Sequence, residues 1–499
     1  MSIDGSLLKL QNGSDVRGVA LALEGGLPVN LTGEAVNRIA QAFVIWLAGH
    51  TGKVAQSLTI GVGHDSRLTA SALKEEIFNG IAAAGASSKD CGLASTPAMF
   101  MGTVFEETGF DGSIMITASH LPKDRNGMKF FTKEGGLDKP DITAVLQQAE
   151  KQKPANQPAN AASCNLMDTY AAYLRGKIVQ GADAGEQPLL GLHIVVDAGN
   201  GAGGFYVSSV LQPLGANCSG SQFLEPDGNF PNHQPNPENK EAMEALRTAV
   251  LANKADLGVI FDTDVDRMSA VLPDGREVNR DAIIAMMAAI LAPEYPGSTI
   301  VTDSVTSDRL TQFLEGTLGL KHHRFKRGYK NVINEAVRLN KEGVITPLAI
   351  ETSGHGALKE NYFLDDGAYL AVRIVAAAAK ARNTGKQLES LLDGLAAPGV
   401  EMERRIPIQG EDFAAYGREV LDAFEKRAAQ QGIQQATSFE GIRLSFQQKG
   451  WMLLRLSLHE PLLPLNLEGN TEEDAQYILE VAQSLVSGFD KLDTSVLKR

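Results

Sequence analysis

Residues 113–131 read SIMITASHLPKDRNGMKFF. The apolar run Ile114-Met115-Ile116 has the length and composition of a buried strand. It stops abruptly at Thr117-Ala118-Ser119-His120, and Pro122 bars an easy helical continuation. The Ser119 hydroxyl is therefore expected at the rim of a sheet, where loops carry chemistry. Asn126-Gly127 marks a second tight turn, after which Lys129 returns between apolar neighbours. On residue types alone these features describe a strand, a serine-capped turn and a solvated lysine.

The flanking sequence repeats the theme. Residues 35–47 predict an amphipathic helix with Val36, Ile39, Ala40, Phe43, Val44 and Leu47 on one face. Leu58 to Gly63 predicts a strand that ends in His64-Asp65-Ser66-Arg67. A helix over about 69–83 follows, closed by Gly85. Strand, polar loop, helix and strand in this order predict a mostly parallel sheet. Residues 151–164, KQKPANQPANAASC, lack an apolar period and read as a linker. A second α/β segment opens with His193 to Asp197, passes through the Gly-rich AGNGAGG into an expected helix, and reaches Leu257 to Phe261. A third opens at Ser298 and its later strand, Pro347 to Ile350, delivers Glu351-Thr352-Ser353-Gly354-His355. The strand–turn–helix theme recurs near residues 60, 195 and 301, a weak internal repeat. Beyond about residue 398 the pattern changes to a hairpin around Lys449-Gly450 and a closing helix with a Thr471-x-x-Asp474 box.

Composition narrows the class. The 499-residue chain is 43% hydrophobic and 21% charged, which fits several globular domains and excludes a disordered protein. A net charge of −14 without a basic stretch argues against nucleic acid as a partner. Cys91, Cys164 and Cys218 are odd in number and widely spaced, so no metal or disulfide framework follows from them, and a reducing compartment fits best. No apolar run approaches the roughly 18 residues of a membrane span, and the N-terminus lacks signal-peptide features. A cytoplasmic protein without a membrane partner is expected.

Asp262, Asp264 and Asp266 alternate directly after an apolar strand. If the backbone stays extended there, all three project to one side as a hard, all-oxygen site suited to Mg²⁺. A solvated acidic turn is the other reading. An EF-hand is excluded, because Arg267 and Pro273 stand where its Gly and Glu belong.

TASHLPKDRNGMK, from Thr117 to Lys129, resembles the phosphoserine loop of the α-D-phosphohexomutases, T-A/G-S-H-N-P-x-x-x-N-G-x-K. Leu121 replaces the usual Asn. Asp262-x-Asp264-x-Asp266-Arg267 resembles the family's metal loop, and Glu351-Thr352-Ser353-Gly354-His355 its sugar-recognition loop, with Ile350 for the usual Gly. Asp15-Val16-Arg17-Gly18 and Gly63-His64-Asp65-Ser66-Arg67 resemble two further motifs. The poorest match is the phosphate grip, Arg455-Leu456-Ser457-Leu458-His459-Glu460-Pro461. There Leu458 and His459 replace Gly and Thr, and a second arginine is missing.

The resemblance implies three similar α/β domains with mixed sheets, over residues 1–155, 165–276 and 277–397. A C-terminal α+β (TBP-like) domain over 398–499 would complete a four-domain ring around a central cleft. It further implies interconversion of hexose 1- and 6-phosphates, of mannose or glucose, through a phosphorylated Ser119 and a bisphosphorylated sugar. Mg²⁺ is expected on Ser119, Asp262, Asp264 and Asp266, with a hexose 1,6-bisphosphate as activator. Lys129 is the expected general acid or base, on the ground that a nearby cation cluster lowers its pKa. His355 is the second candidate for that role. Arg17, Arg67, His120 and Arg267 are expected to stabilise the phosphoryl group. Glu351, Ser353, His355, Lys326, Arg327, Tyr329, Arg455, Ser457 and His459 are expected to bind a phosphosugar. Glucosamine phosphate is the alternative substrate, and a silent phosphosugar-binding protein or a phosphatase the alternative function. A monomer and a homodimer fit equally.

Overall fold

The computed structural model describes residues 6–157, 160–410, 412–457 and 460–498. The chain divides into two compact units, Met1–Ile290 with Ser353–Leu391, and Leu291–Thr352 with Leu392–Arg499.

In the first unit the run around Ile114 forms the strand Gly112–Ile116, buried along its whole length. It pairs in parallel with Thr59–His64, which pairs in parallel with Ser87–Leu93. On the other side Arg125–Thr132 returns antiparallel, and Asp15–Val19 lies antiparallel to that. The two turns bracketing Pro122 thus fold the quoted stretch back on itself. Their register sets Lys129 opposite Met115 and Arg17 opposite Gly127, which brings both cationic residues to the serine loop. The helices Gly33–Thr51, Ala70–Ala83 and Lys139–Ala149 share one core with these strands, through Val36, Phe43, Ile77, Ile142 and Val145 among others. Thr32 starts the first helix, its side chain accepting from the Ala35 amide.

Part of the expected linker is structured. Ala162–Ser163 joins Ser87–Leu93 as a short parallel edge strand. Both residues are exposed, so no apolar alternation marks them.

The second sheet runs Glu277–Val278, Met268–Val271, Leu257–Phe261, Ile194–Asp197, with only the last pair parallel. The helix expected after AGNGAGG is a wide π-turn, Tyr206–Leu211, tightening into a 3₁₀ turn, Gln212–Leu214. Pro213, which lacks an amide, helps prevent a regular continuation. The helix Gly367–Asn383 packs on Leu166–Ala182. There Tyr170 Oη donates to Asp366 Oδ1 at 2.7 Å.

In the second unit Thr299–Thr302 pairs in parallel with Lys321–Arg324 and Leu348–Ile350. A fully antiparallel sheet runs Val400–Pro407, Leu462–Gly469, Gly450–Leu454, Ile442–Phe446, Gln434–Ala436. The expected hairpin forms its centre. The helices Phe413–Gln430 and Glu472–Leu485 bury Val420, Phe424, Ile478 and Leu479 in a core with this sheet. Thr471 caps the latter helix by accepting from the Asp474 amide. Arg443 is the largest fully buried side chain. Its guanidinium donates to the carbonyls of Ser304 and Thr306 and to Asp308 Oδ1, each at 3.0 Å, and lies 3.8 Å from the Trp451 ring centroid.

Candidate active site

Ser119 follows the C-terminal end of Gly112–Ile116 and is 1% exposed. Its backbone has φ 51°, the left-handed region that side chains disfavour. The Ser119 amide donates to Thr117 Oγ1 at 2.8 Å, and Thr117 in turn donates to Asp65 Oδ2 at 2.7 Å. Arg67 donates from Nη2 to the carbonyls of Ser119 (2.5 Å) and Leu121 (2.6 Å), and from Nη1 to those of Pro122 (2.8 Å) and Arg125 (2.9 Å). Arg67 therefore braces the serine loop through its backbone carbonyls. Gly127 is required by the close strand approach, since a Cβ there would lie 2.3 Å from the Val16 carbonyl oxygen. Arg17 reaches the same loop, donating to the Ala118 carbonyl at 3.3 Å while paired with Asp15 at 2.8 Å.

Leu257–Phe261 delivers Asp262, but the backbone beyond it is not extended. The Val265 amide donates to the Asp262 carbonyl at 3.3 Å, and Val265 has φ 67°, rare for a β-branched residue. The alternation argument for Asp262, Asp264 and Asp266 therefore fails in its geometry. A tight turn, not an extended strand, gathers them, with candidate ligand atoms all within 4.8 Å of one another. The Asp264 carbonyl accepts from the Thr96 amide at 2.9 Å, and Asp264 Oδ2 accepts from Thr96 Oγ1 at 2.5 Å. The Ser119 hydroxyl donates to Asp262 Oδ2 at 2.9 Å, joining the serine loop to the acidic turn.

Lys129 forms ion pairs with Asp266 and, at 3.2 Å, Asp264. The cation cluster expected around Lys129 is thus replaced by carboxylates, because its strand register points it at the acidic turn. Burial first, and then the charges of Asp266 and Asp264, push the Asp262 carboxyl well above its ordinary pKa. Burial pushes Asp266 the same way, but Lys129, His355 and Arg267 outweigh it and hold Asp266 below the usual range. Asp264 Oδ1 and Asp266 Oδ1 are buried without a hydrogen-bond partner. Buried carboxylates that repel one another and keep free lone pairs are a donor set for a hard divalent cation, and they fit Mg²⁺.

His355 lies on a second turn, after Leu348–Ile350, that meets the acidic one. Its backbone bridges to Arg267, and Arg267 Nε donates to His355 Nε2 at 2.8 Å. On the other ring nitrogen, Nδ1 lies 2.5 Å from Asp365 Oδ2. Burial opposes a charged His355, but Asp365 more than offsets it and the pKa is raised. His120 Nδ1 is 3.2 Å from Ser119 Oγ. Burial, then Arg267 and Arg17, hold the His120 pKa down to about 2, so this imidazole is neutral. Thr96-Pro97 matches the family's scaffold in sequence, whereas Asp365 was not singled out. Asp365 precedes a helix-capping Asp366, which disguises it as part of a cap.

Ser353 is buried in the first unit. The remaining expected sugar and phosphate contacts lie in the second unit. Glu351 Oε1 accepts from the Gly328 amide at 2.6 Å, and Tyr329 opens the helix Tyr329–Lys341. The Arg327 amide donates to Glu440 Oε1 at 2.9 Å, and Lys326 Nζ lies 6.0 Å from the Phe325 ring centroid. Burial lowers the Arg455 pKa. Ser457 Oγ accepts from the Glu460 amide at 3.1 Å. Leu458 and His459 lie outside the described residues.

Family models described as phosphoglucomutase/phosphomannomutase, alpha/beta/alpha domains I, II and III, match residues 8–156, 168–275 and 279–398. A phosphomannomutase/phosphoglucomutase of Pseudomonas syringae pv. tomato is 31% identical over 423 residues, covering 84% of this chain and 85% of that protein. A phosphoglucomutase of Neisseria gonorrhoeae is 30% identical, covering 83% and 85%. In fold, a phosphoglucomutase/phosphomannomutase family protein of Burkholderia thailandensis aligns with TM-score 0.78 at 24% identity, over 95% of this chain and 97% of that one. Among the described residues no helix is long and apolar enough to cross a membrane.

Proposed function

Since the chain belongs to the phosphoglucomutase/phosphomannomutase family, we propose that it is a phosphohexomutase acting on the 1- and 6-phosphates of mannose and glucose. The names of its relatives support the reaction class. The observation that carries the reading is the buried Ser119 hydroxyl donating to Asp262 Oδ2 at 2.9 Å, within a cluster of three carboxylates.

In the proposed cycle phosphorylated Ser119 gives its phosphoryl group to a free hydroxyl of the hexose phosphate. The new sugar O–P bond forms as the serine O–P bond breaks, and the hydroxyl proton leaves to a base. The bisphosphorylated sugar reorients and returns its other phosphoryl group to Ser119. Asp262, Asp264 and Asp266, with the Ser119 phosphate, are the proposed Mg²⁺ ligands. When bound, the ion supplies positive charge to the phosphoryl oxygens. Arg17, braced by Asp15, and Arg267, braced by His355, are proposed to add guanidinium charge. Lys129 is the proposed acid and base for the sugar hydroxyl, with His355 the second candidate. Neutral His120 is proposed to hold the serine oxygen in place without adding charge. In the second unit Glu351, Lys326, Arg327, Tyr329, Arg455, Ser457 and His459, and in the first Ser353, are the proposed phosphosugar contacts. A hexose 1,6-bisphosphate is the proposed activator, since it can load Ser119. A cytoplasmic setting suits the three unpaired thiols.

Peptide mass analysis before and after incubation with glucose 1,6-bisphosphate and Mg²⁺ tests this. The expected result is one phosphate on the Ser119 peptide, discharged by mannose or glucose phosphates far faster than by glucosamine phosphate, and abolished by a chelator. An unphosphorylated Ser119 with every bisphosphate tried would overturn the mutase reading.

A further inference from the structure

Two of the three cysteines lie side by side in a part of the first unit that the proposed reaction does not use. The edge strand Ala162–Ser163 pairs in parallel with Ser87–Leu93, setting Ala162 opposite Lys89 and Ser163 opposite Asp90. The Cys164 amide donates to the Asp90 carbonyl at 2.8 Å, which carries the pairing one step on and brings Cys164 beside Cys91. On its other edge the same strand shifts register against Thr59–His64. Asp90 faces Val62 and Gly92 faces Gly63, so Cys91 is the inserted residue of a bulge. Bulges re-aim the side chain they carry and release it from one ladder. Adjacent strands lie about 4.8 Å apart, within the roughly 4.4–6.8 Å between Cα atoms that a disulfide spans.

The two thiols are free and unequal. Cys164 is half-buried and Cys91 buried. Interaction with Cys91 first, and then the charge of Lys89, bring the Cys164 thiol down to about 7 against the opposing effect of burial. Its partner is pushed up, by Cys164 first and by burial second. Thiolate character and solvent access thus fall on one residue, and a protonated neighbour stands behind it, the division of labour found in redox-sensing pairs. Cys218 offers an internal contrast. It is buried, and burial alone pushes it up to about 11.

We propose that Cys164 and Cys91 form a peroxide-responsive pair that closes to a reversible disulfide, with Cys164 as the attacking thiol and Cys91 as the resolving one. The Cys164 thiolate attacks one peroxide oxygen, forming an S–O bond and breaking O–O, to give a sulfenic acid and hydroxide. The Cys91 sulfur then attacks the sulfenic sulfur. An S–S bond forms, S–O breaks, and the Cys91 proton leaves with the departing hydroxyl as water. Two electrons pass from the thiol pair to the peroxide, and a small thiol reverses the change by exchange. The bond ties the segment entering helix Leu166–Ala182 to the edge of the first sheet. The strand it grips continues through Ser95 to Thr96, which holds Asp264.

The test is to treat the full chain with hydrogen peroxide, block remaining thiols under denaturing conditions, and digest. The expected result is a Cys91–Cys164 cross-linked peptide, lost on reduction, with Cys218 still fully alkylated. Cys91→Ser, which keeps a hydrogen-bond donor beside Cys164, should leave Cys164 as a sulfenic acid that dimedone traps, and Cys164→Ala should leave Cys91 unoxidised at the same peroxide dose. Full alkylation of all three thiols in the treated native chain, a cross-link to Cys218 or to a second chain, or equal oxidation of Cys91 in Cys164→Ala would each overturn the proposal. Because the readout is chemical, failure here leaves the mutase reading untouched, and failure of that reading leaves this one standing.

Discussion

Lys129 places its ammonium on Asp264 and Asp266 with almost no solvent access, on carboxylates that a divalent cation would also claim. Lys129→Met removes their ammonium partner in a chelator, and the expected loss of stability is about 3 kcal/mol. Most of it should return with Mg²⁺, which binds the folded state alone. Urea unfolding in the two buffers reads both numbers, and equal losses would show that the carboxylates do not hold the ion. At His233 the balance is of another kind. Burial opposes its charged form, but Asp197, with both oxygens within 3.1 Å, outweighs burial and raises the pKa above the ordinary value. A raised folded-state value means the histidine stabilises fully below about pH 6.5 and less as the pH climbs through its folded value. His233→Gln should therefore cost most near pH 5.5 and its gap from the parent should narrow toward about pH 9. A denaturant midpoint series reads this, and a gap that stays constant with pH would refute it.

The turns after Phe261 and before His355 work as one element. Gly354 has φ 91°, its carbonyl accepts from the Met268 amide at 3.2 Å, and a Cβ there would lie 2.6 Å from the Met268 carbonyl oxygen. Gly354→Ala must shift the bridge that seats His355 beside Arg267. The expected cost is about 1–3 kcal/mol in stability with at least about a tenfold loss of activity. Thermal unfolding and steady-state rates check the two separately. The sequence announced the site's loops well, because strand ends throughout, and Pro122 and Gly127 around Ser119, punctuate the chain where the backbone must turn. It did not announce how the turn at Asp262–Asp266 is made. Val265 at φ 67° defies its own propensity, and only the surrounding tertiary contacts hold it there. Nor did it show the edge strand Ala162–Ser163, whose pairing partner lies some seventy residues away and whose side chains carry no apolar signal. Lys129 shows the same limit. Its position between apolar residues was legible, whereas the sign of its neighbours depended on the register between strands.

At the scale of the molecule, Arg443 anchors the second unit by donating to two backbone carbonyls and a carboxylate from residues 304–308. Arg443→Met strands the buried carbonyls, and the expected loss is about 3 kcal/mol. Hydrogen exchange should quicken in Thr299–Thr302 and Gly450–Leu454 and stay unchanged in Gly112–Ile116. Quickening in all three would show that the two units unfold as one. The division at residues 290, 352 and 391 also bears on how the molecule is made. Helix Leu166–Ala182 packs on Gly367–Asn383, so the first unit stays incomplete until residues up to 391 have left the ribosome. At translation rates of about 5–20 residues per second, the roughly hundred residues from 290 to 391 impose a wait of some 5–20 s. During that wait the part of Leu166–Ala182 that Gly367–Asn383 will cover lies bare in the nascent chain, a ready target for a chaperone.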